Sequence, residues 1–216
     1  METRALSRYI TEMAQYCVSR LFRWPVLALW CLLAAAVLFA YPELSARGLL
    51  ISVLFLGAAI VLLRLWDDLA DLEHDRARYP DRVLVKVDAL KPFVITLALG
   101  LAGLVYVLLG HPLRLIAFLT MLLIIALVYH SFVAKSLSRA TKAFIILFKY
   151  PALLLLAAAN PSSRSLLVAV ILYAVVGVYE WLEDAELRNA PVSQTILGSV
   201  LGCVLITTLS LIVSVG

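Results

Sequence analysis

The chain has 216 residues, 64% of them hydrophobic, and a mean hydropathy of +1.02. That composition excludes an ordinary soluble domain. The net charge of +4 comes with no basic-aromatic module, so a nucleic-acid partner is excluded as well. Cys17, Cys31 and Cys203 have neither metal spacing nor a pairing pattern and read as small packing residues.

Residues 1–24 read as a cytoplasmic amphipathic segment. Leu6, Ile10, Met13, Cys17 and Leu21 recur at helical spacing with arginines between them, which predicts a helix lying on the inner leaflet. The charged region is too long for a signal peptide. Residues 25–216 read as one membrane domain. Apolar runs recur at Pro25–Tyr41, Leu49–Trp66, Phe93–Leu109, Leu113–Tyr129, Ala143–Ala159, Leu166–Trp181 and Ile196–Val215. A span takes about 17–25 residues, so the expectation is an all-α, polytopic membrane bundle of about seven transmembrane helices.

Positive charge sets the expected orientation. Arg4, Arg8, Arg20, Arg23, Arg76, Arg78, Arg82, Lys86, Lys91, Lys135, Arg139, Lys142 and Arg188 fall on one side, and Arg47, Arg114 and Arg164 on the other. The N-terminus is then cytoplasmic and the C-terminus external.

Most of the 14 carboxylates form two clusters, each where an apolar run ends on the cytoplasmic side. In the first, Asp67, Asp71 and Asp75 step through i, i+4 and i+8 on one helical stripe, with Asp68 flanking it. Like charges at that spacing repel, and Mg²⁺, a hard ion suited to carboxylate and phosphate oxygens, is the natural counter-ion. Arg64, one turn earlier, can hold Asp68 or a phosphate. The bland alternative is a solvated helix end paired with Arg76, Arg78 and Arg82. In the second cluster Glu180 and Asp184 are four apart, Glu183 flanks them, and Tyr173 and Gly177 continue the stripe into the membrane. Acids at a helix C-terminus are unfavourable by about 0.3–1 kcal/mol each without a cation. A chance acidic loop balanced by Arg188 is the competing account.

Cations lie close in sequence. Lys135, Arg139 and Lys142 form a basic stripe that can clamp a diphosphate or simply mark the cytoplasmic face. Lys149 falls well inside the fifth apolar run, at a cost of about 2.5–3.5 kcal/mol unless it faces a polar cavity or snorkels. Pro151 loosens the backbone beside it.

These residues resemble the UbiA superfamily of intramembrane prenyltransferases. Asp67-Asp68-Leu-Ala-Asp71-Leu-Glu-His-Asp75 is similar to the family's first signature, and Tyr79-Pro80-Asp81-Arg82-Val83-Leu84 to the stretch that usually comes after it. Glu180-Trp-Leu-Glu183-Asp184 matches the second signature loosely, and Tyr129 with Lys135 looks like the pattern closing the fourth span. The resemblance covers roughly residues 20–216. It implies a helical bundle around a central cavity open to lipid, with both acidic motifs at its mouth. Two Mg²⁺ ions bridge Asp67, Asp68, Asp71, Asp75, Glu180 and Asp184 to a prenyl diphosphate, with Asp68, Asp71 and Asp184 as the catalytic acids. Arg64, Arg82, Lys135, Arg139, Lys142 and Lys149 hold the diphosphate, and Tyr129 and Tyr173 line the substrate cavity. The prenyl group passes to a small or lipid acceptor of unknown identity.

The chain departs from the family in having Asp67 for a more frequent Asn, Glu180 for Asp, and seven spans against nine. The missing spans imply a more open cavity, a different acceptor entrance, or an oligomer or partner protein. A membrane terpene cyclase keeps the same ionisation chemistry and closes the cation on itself. A non-catalytic scaffold or divalent-cation carrier is the third reading, although a carrier places its acids nearer the bilayer midplane.

Overall fold

The structure is a computed structural model describing residues 2–87, 89–131, 136–157 and 161–215, with side chains from 7 to 205 within those limits. Its regular structure there is entirely helical. The elements are α1 (Glu2–Tyr16), a π turn (Cys17–Leu21), α2 (Trp24–Ala40), α3 (Ala46–Ala70), α4 (Leu72–Arg78), α5 (Val83–Lys86), α6 (Lys91–Leu108), α7 (Pro112–His130), α8 (Arg139–Leu147), α9 (Lys149–Leu156), α10 (Ser163–Glu183), α11 (Ala185–Asn189) and α12 (Pro191–Val215). Helix starts obey local chemistry. Proline stands in the first turn of α6, α7 and α12, where no intrahelical N–H is needed. Ser162 and Ser165 close a capping box on α10.

The expected apolar runs coincide with these helices. α3, α6, α7 and α10 are each long and apolar enough to cross a membrane. A fifth span results if residues 7–40, bent by 70° between the π turn and α2, count as one. Large side chains such as Leu50, Leu54, Leu99, Tyr106, Leu113 and Ile116 are exposed along α3, α6 and α7, as lipid-facing residues are.

The chain divides into two compact units. The first comprises residues 1–34 and 54–110. Its polar end is built on one apolar cluster, in which Tyr16 and Leu21 pack with Leu65, Leu72, Leu84 and Phe93, flanked by Tyr9 and Met13. The rings of Tyr9 and Tyr16 meet Phe93 edge-on at 5.6 and 6.1 Å. The amphipathic segment thus sets its apolar face on the protein itself. Ile10, expected on that face, is exposed. The π turn accounts for a change of register beyond α1, because its extra residue rotates the chain and brings Arg20 and Leu21 inward.

The second unit comprises residues 35–53 and 111–216. There α10 packs against α9 and α12, and α7 against α8 and α9. The fifth apolar run is broken at Phe148, between α8 and α9. Pro151 supplies the cause: its ring clashes with the Leu147 carbonyl and it has no N–H to offer. The break leaves the Phe144 carbonyl without its usual partner, since the Phe148 amide bonds Ile145 instead. Tyr173 Oη on α10 donates to that carbonyl at 2.9 Å. At the other end of α9, Arg114 donates to the Leu156 carbonyl, and Ser52 Oγ to that of Ala157 at 2.8 Å.

Tyr173→Phe removes the donor that satisfies the broken helix. We expect a loss of roughly 1 kcal/mol, read as a lower unfolding midpoint in detergent. An unchanged midpoint rules out this role for the hydroxyl.

Candidate functional site

The first acidic cluster straddles the end of α3. Backbone bonds from Asp71 N to Asp67 O and from Asp75 N to Asp71 O carry the helical register across the junction with α4. The side chains nevertheless divide differently from the expected stripe of Asp67, Asp71 and Asp75. The inward face is Leu65, Asp68, Leu72 and Asp75, all buried, at the i, i+3, i+7 and i+10 spacing of a packed helix. Asp67 is half-buried and Asp71 exposed. The apolar cluster selects this face, because Leu65 and Leu72 must both enter it.

Each buried acid has its own arginine. Arg20, from the π turn, grips Asp68 with both arms of a fork: Nε donates to Oδ2 at 2.9 Å, and Nη2 to Oδ1. Tyr16 Oη donates to the same Oδ2 at 2.9 Å. Arg64 stands 3.7 Å from Oδ1. Asp75 pairs with Arg82. The Tyr79-Pro80-Asp81-Arg82 segment aims that arginine: Arg82 N bonds Tyr79 O at 3.1 Å across a turn with proline at its second position. The Arg82 guanidinium also lies 4.1 Å from the centre of the Tyr79 ring. Tyr16, Arg20, Asp68, Asp75 and Arg82 enclose a cavity of about 10 Å³, room for one water at most. Asp81 faces outward to Lys86 at 2.8 Å.

Asp71 has a different environment. Partial desolvation, then repulsion from Asp67 and Asp75, raises its pKa above the ordinary carboxylate value.

The second cluster is held more loosely. Arg139 on α8 donates to Asp184 at 3.2 Å and also pairs with Glu186. Asp184 caps α11, accepting from Glu186 N at 2.8 Å. Glu180 is half-buried and Glu183 exposed. Arg188, which balances this cluster in the competing account, donates to the Leu182 carbonyl. Lys142 is half-buried on α8. Lys149 is buried at the start of α9, its ammonium 5.4 Å from the centre of the Tyr150 ring. Tyr129 is half-buried near the end of α7, beside the His130 ring. Tyr173 serves the helix break. Gly177, on the same stripe, admits Phe144 and Leu197, which would lie 3.4 and 3.3 Å from an added Cβ. Lys135 lies outside the described residues.

The structure therefore brings Arg64, Asp68, Asp75 and Arg82 together in the first unit, and Arg139 with Asp184 in the second. Sequence reasoning missed Tyr16 and Arg20 as site residues. No local signal pointed to them, because Arg20 comes inward through the π turn and not through regular helical spacing.

The donor set suits Mg²⁺ in kind, being carboxylate oxygen throughout. Its arrangement is a closed one. Among the described residues no three acidic, histidine or cysteine side chains converge to hold a metal, and Asp68 and Asp75 already hold arginines. No family model matches the chain, and neither a curated protein nor a solved structure matches it significantly. The UbiA resemblance thus rests on the motif residues themselves.

The raised pKa of Asp71 has a signed consequence. Its folded value lies above its unfolded one, so its favourable contribution is complete below the ordinary carboxylate range and is lost as pH rises through the raised value. Asp71→Asn should therefore raise the unfolding midpoint at neutral pH, and the gain should vanish below about pH 4. A gain that persists in acid contradicts the repulsion.

Proposed function

We propose that the protein is a magnesium-dependent membrane enzyme that ionises a prenyl diphosphate and passes the prenyl group to a small or lipid acceptor. The observation that carries this reading is the alternation of carboxylates and guanidiniums where α3 ends: Asp67, Asp68, Asp71 and Asp75 interleaved with Arg20, Arg64 and Arg82. Carboxylates alone suit a metal, and arginines alone suit an anion. Both together suit a metal carrying a diphosphate. The helical architecture, with several helices able to cross a membrane, supplies the apolar surroundings that an allylic substrate needs.

In this reading the chain spans the membrane seven times around a central cavity, and both acidic clusters lie at its cytoplasmic mouth. Asp67 and Asp71, the less buried pair, would hold Mg²⁺ with Asp68 and Asp75, and the ion would supply charge against a leaving diphosphate. Arg64 and Arg82 hold phosphate oxygens in the first unit, and Arg139, Lys142, Lys149 and Lys135 form the basic complement in the second. Glu180 and Asp184 complete the acidic set. The apolar lining excludes water from the reacting prenyl chain, with Tyr129 and Tyr173 as its aromatic members.

Two experiments test this. Purified protein given a panel of prenyl diphosphates with Mg²⁺ should release diphosphate only when membrane extract supplies an acceptor, and Asp71→Ala should abolish turnover without affecting insertion. Product formed without acceptor identifies a cyclase instead, and near-normal activity in the variant removes the metal-diphosphate reading. For topology, single cysteines at Ser45 and Ser163 should label from outside the cell. Labelling of either from the cytoplasm alone overturns the orientation.

A further inference from the structure

A buried hydroxyl or guanidinium N–H keeps its full desolvation cost until an acceptor reaches it. Two such donors stand unmet in the second unit, at the end of α10 remote from Glu180. One is Tyr41 Oη, on a residue only 2% exposed just beyond α2, and the other is Nε of Arg114, in the first turn of α7. The two groups act on one another electrostatically, so they belong to one cluster. Ser165 stands beside Tyr41, yet its hydroxyl is engaged with Ser162 in both senses. It accepts from Ser162 N at 2.7 Å and donates to Ser162 O at 2.8 Å. Arg114 is pinned in place, because its Nη2 donates to the Leu156 carbonyl where α9 ends.

The cluster is also short of negative charge. Among the described residues no carboxylate acts on Arg114. Glu43, on the loop after Tyr41, is exposed and reaches Tyr41 alone of the two. Arg47 and Arg164, near the starts of α3 and α10, are exposed and add positive charge to this unit. α7 begins without a side-chain cap, so its first N–H groups add positive potential. A water can accept from both orphaned donors but leaves the guanidinium uncompensated. An oxyanion meets both demands. Leu113 and Ile116, 81% and 61% exposed beside Arg114, face lipid and set the arginine at the depth of lipid headgroups.

We propose that Arg114 and Tyr41 form a phosphate-binding socket that takes the headgroup phosphate of a membrane phospholipid. Arg114 is half-buried, so the phosphate approaches along its exposed flank and accepts from Nε, while Tyr41 donates from the inner side. The bond to Leu156 keeps the guanidinium from turning away into solvent. One anion then ties together the end of α2, the start of α7 and, through Arg114, the end of α9. The socket uses none of the acidic residues and stands apart from the prenyl-diphosphate reading.

The experiment uses the full chain, delipidated in detergent, with phosphatidylglycerol, with diacylglycerol of the same acyl chains, or with inorganic phosphate. Phosphatidylglycerol should raise the unfolding midpoint of the native chain and stay bound in native mass spectrometry, and diacylglycerol should do neither. An equal rise with inorganic phosphate at the same concentration supports the socket and assigns it to free phosphate. Arg114→Gln should weaken phosphatidylglycerol binding about tenfold, and Arg164→Gln should leave it unchanged. Tyr41→Phe removes only an unsatisfied hydroxyl. Its midpoint without ligand should equal or exceed the native one, and its binding of phosphatidylglycerol should be about fivefold weaker. A lower midpoint without ligand means that the hydroxyl is bonded within the protein, and overturns the socket. Equal binding of phosphatidylglycerol and diacylglycerol overturns it too, as does equal weakening by Arg114→Gln and Arg164→Gln.

Discussion

The contact between Arg20 and Asp68 governs the architecture of the first unit. It joins residues 48 apart in sequence and lies among apolar side chains. Removing one member of such a pair is expected to cost about 3–5 kcal/mol, because the other charge stays buried. Forming the pair gives little net stability over an apolar contact of the same shape. Its effect is on register. With the fork closed, α1 can settle on α3 in one position only, the one that also sets Tyr16 against Phe93 and Leu21 against the leucines of α3 and α4. Asp68 is held by this fork and Asp75 by Arg82, while Asp71 is exposed and carries the repulsion of its neighbours Asp67 and Asp75.

The second cluster uses the same chemistry at lower strength. Arg139 bridges Asp184 and Glu186, and all three are at least a quarter exposed. Exposed pairs of this kind are worth about 0–1 kcal/mol, so solvent or a stronger ligand separates them easily. Asp184 keeps its capping bond to Glu186 N whether or not Arg139 stays. The two clusters, alike as strings of acids in sequence, therefore differ in how firmly they are held. The first is locked by burial and geometry. The second is held by Coulomb attraction in a wet setting.

This difference marks where the sequence was legible. Apolar length located the helices, since it reports on segments as wholes. Pro151 correctly marked a loosened backbone, because the missing N–H acts on its own neighbours and needs no tertiary knowledge. The Asp67–Asp75 arc was visible as a cluster, yet its division into inward and outward faces was not. That division depends on Leu65 and Leu72 sharing a core with Tyr16 and Phe93, residues far away in sequence. The π turn was equally hidden: an assumed regular helix left Arg20 as one more cytoplasmic positive charge. Arg139 stood in the sequence as part of a basic stripe with Lys135 and Lys142, whereas in the fold it is drawn aside by two acids of α11 and its cap.

A spacing of aspartates fixes which side chains can share a helix face, and no more than that. In this chain the same acids that resemble a metal-diphosphate signature also supply the buried charges that dock the N-terminal segment. The structure shows the second role: Asp68 accepts from both arms of the Arg20 fork and from the Tyr16 hydroxyl, and Asp75 pairs with Arg82. An acidic motif held closed in this way avoids the repulsion that an open cluster of carboxylates suffers at a helix C-terminus. The repulsion that remains falls on exposed Asp71, from Asp67 and Asp75.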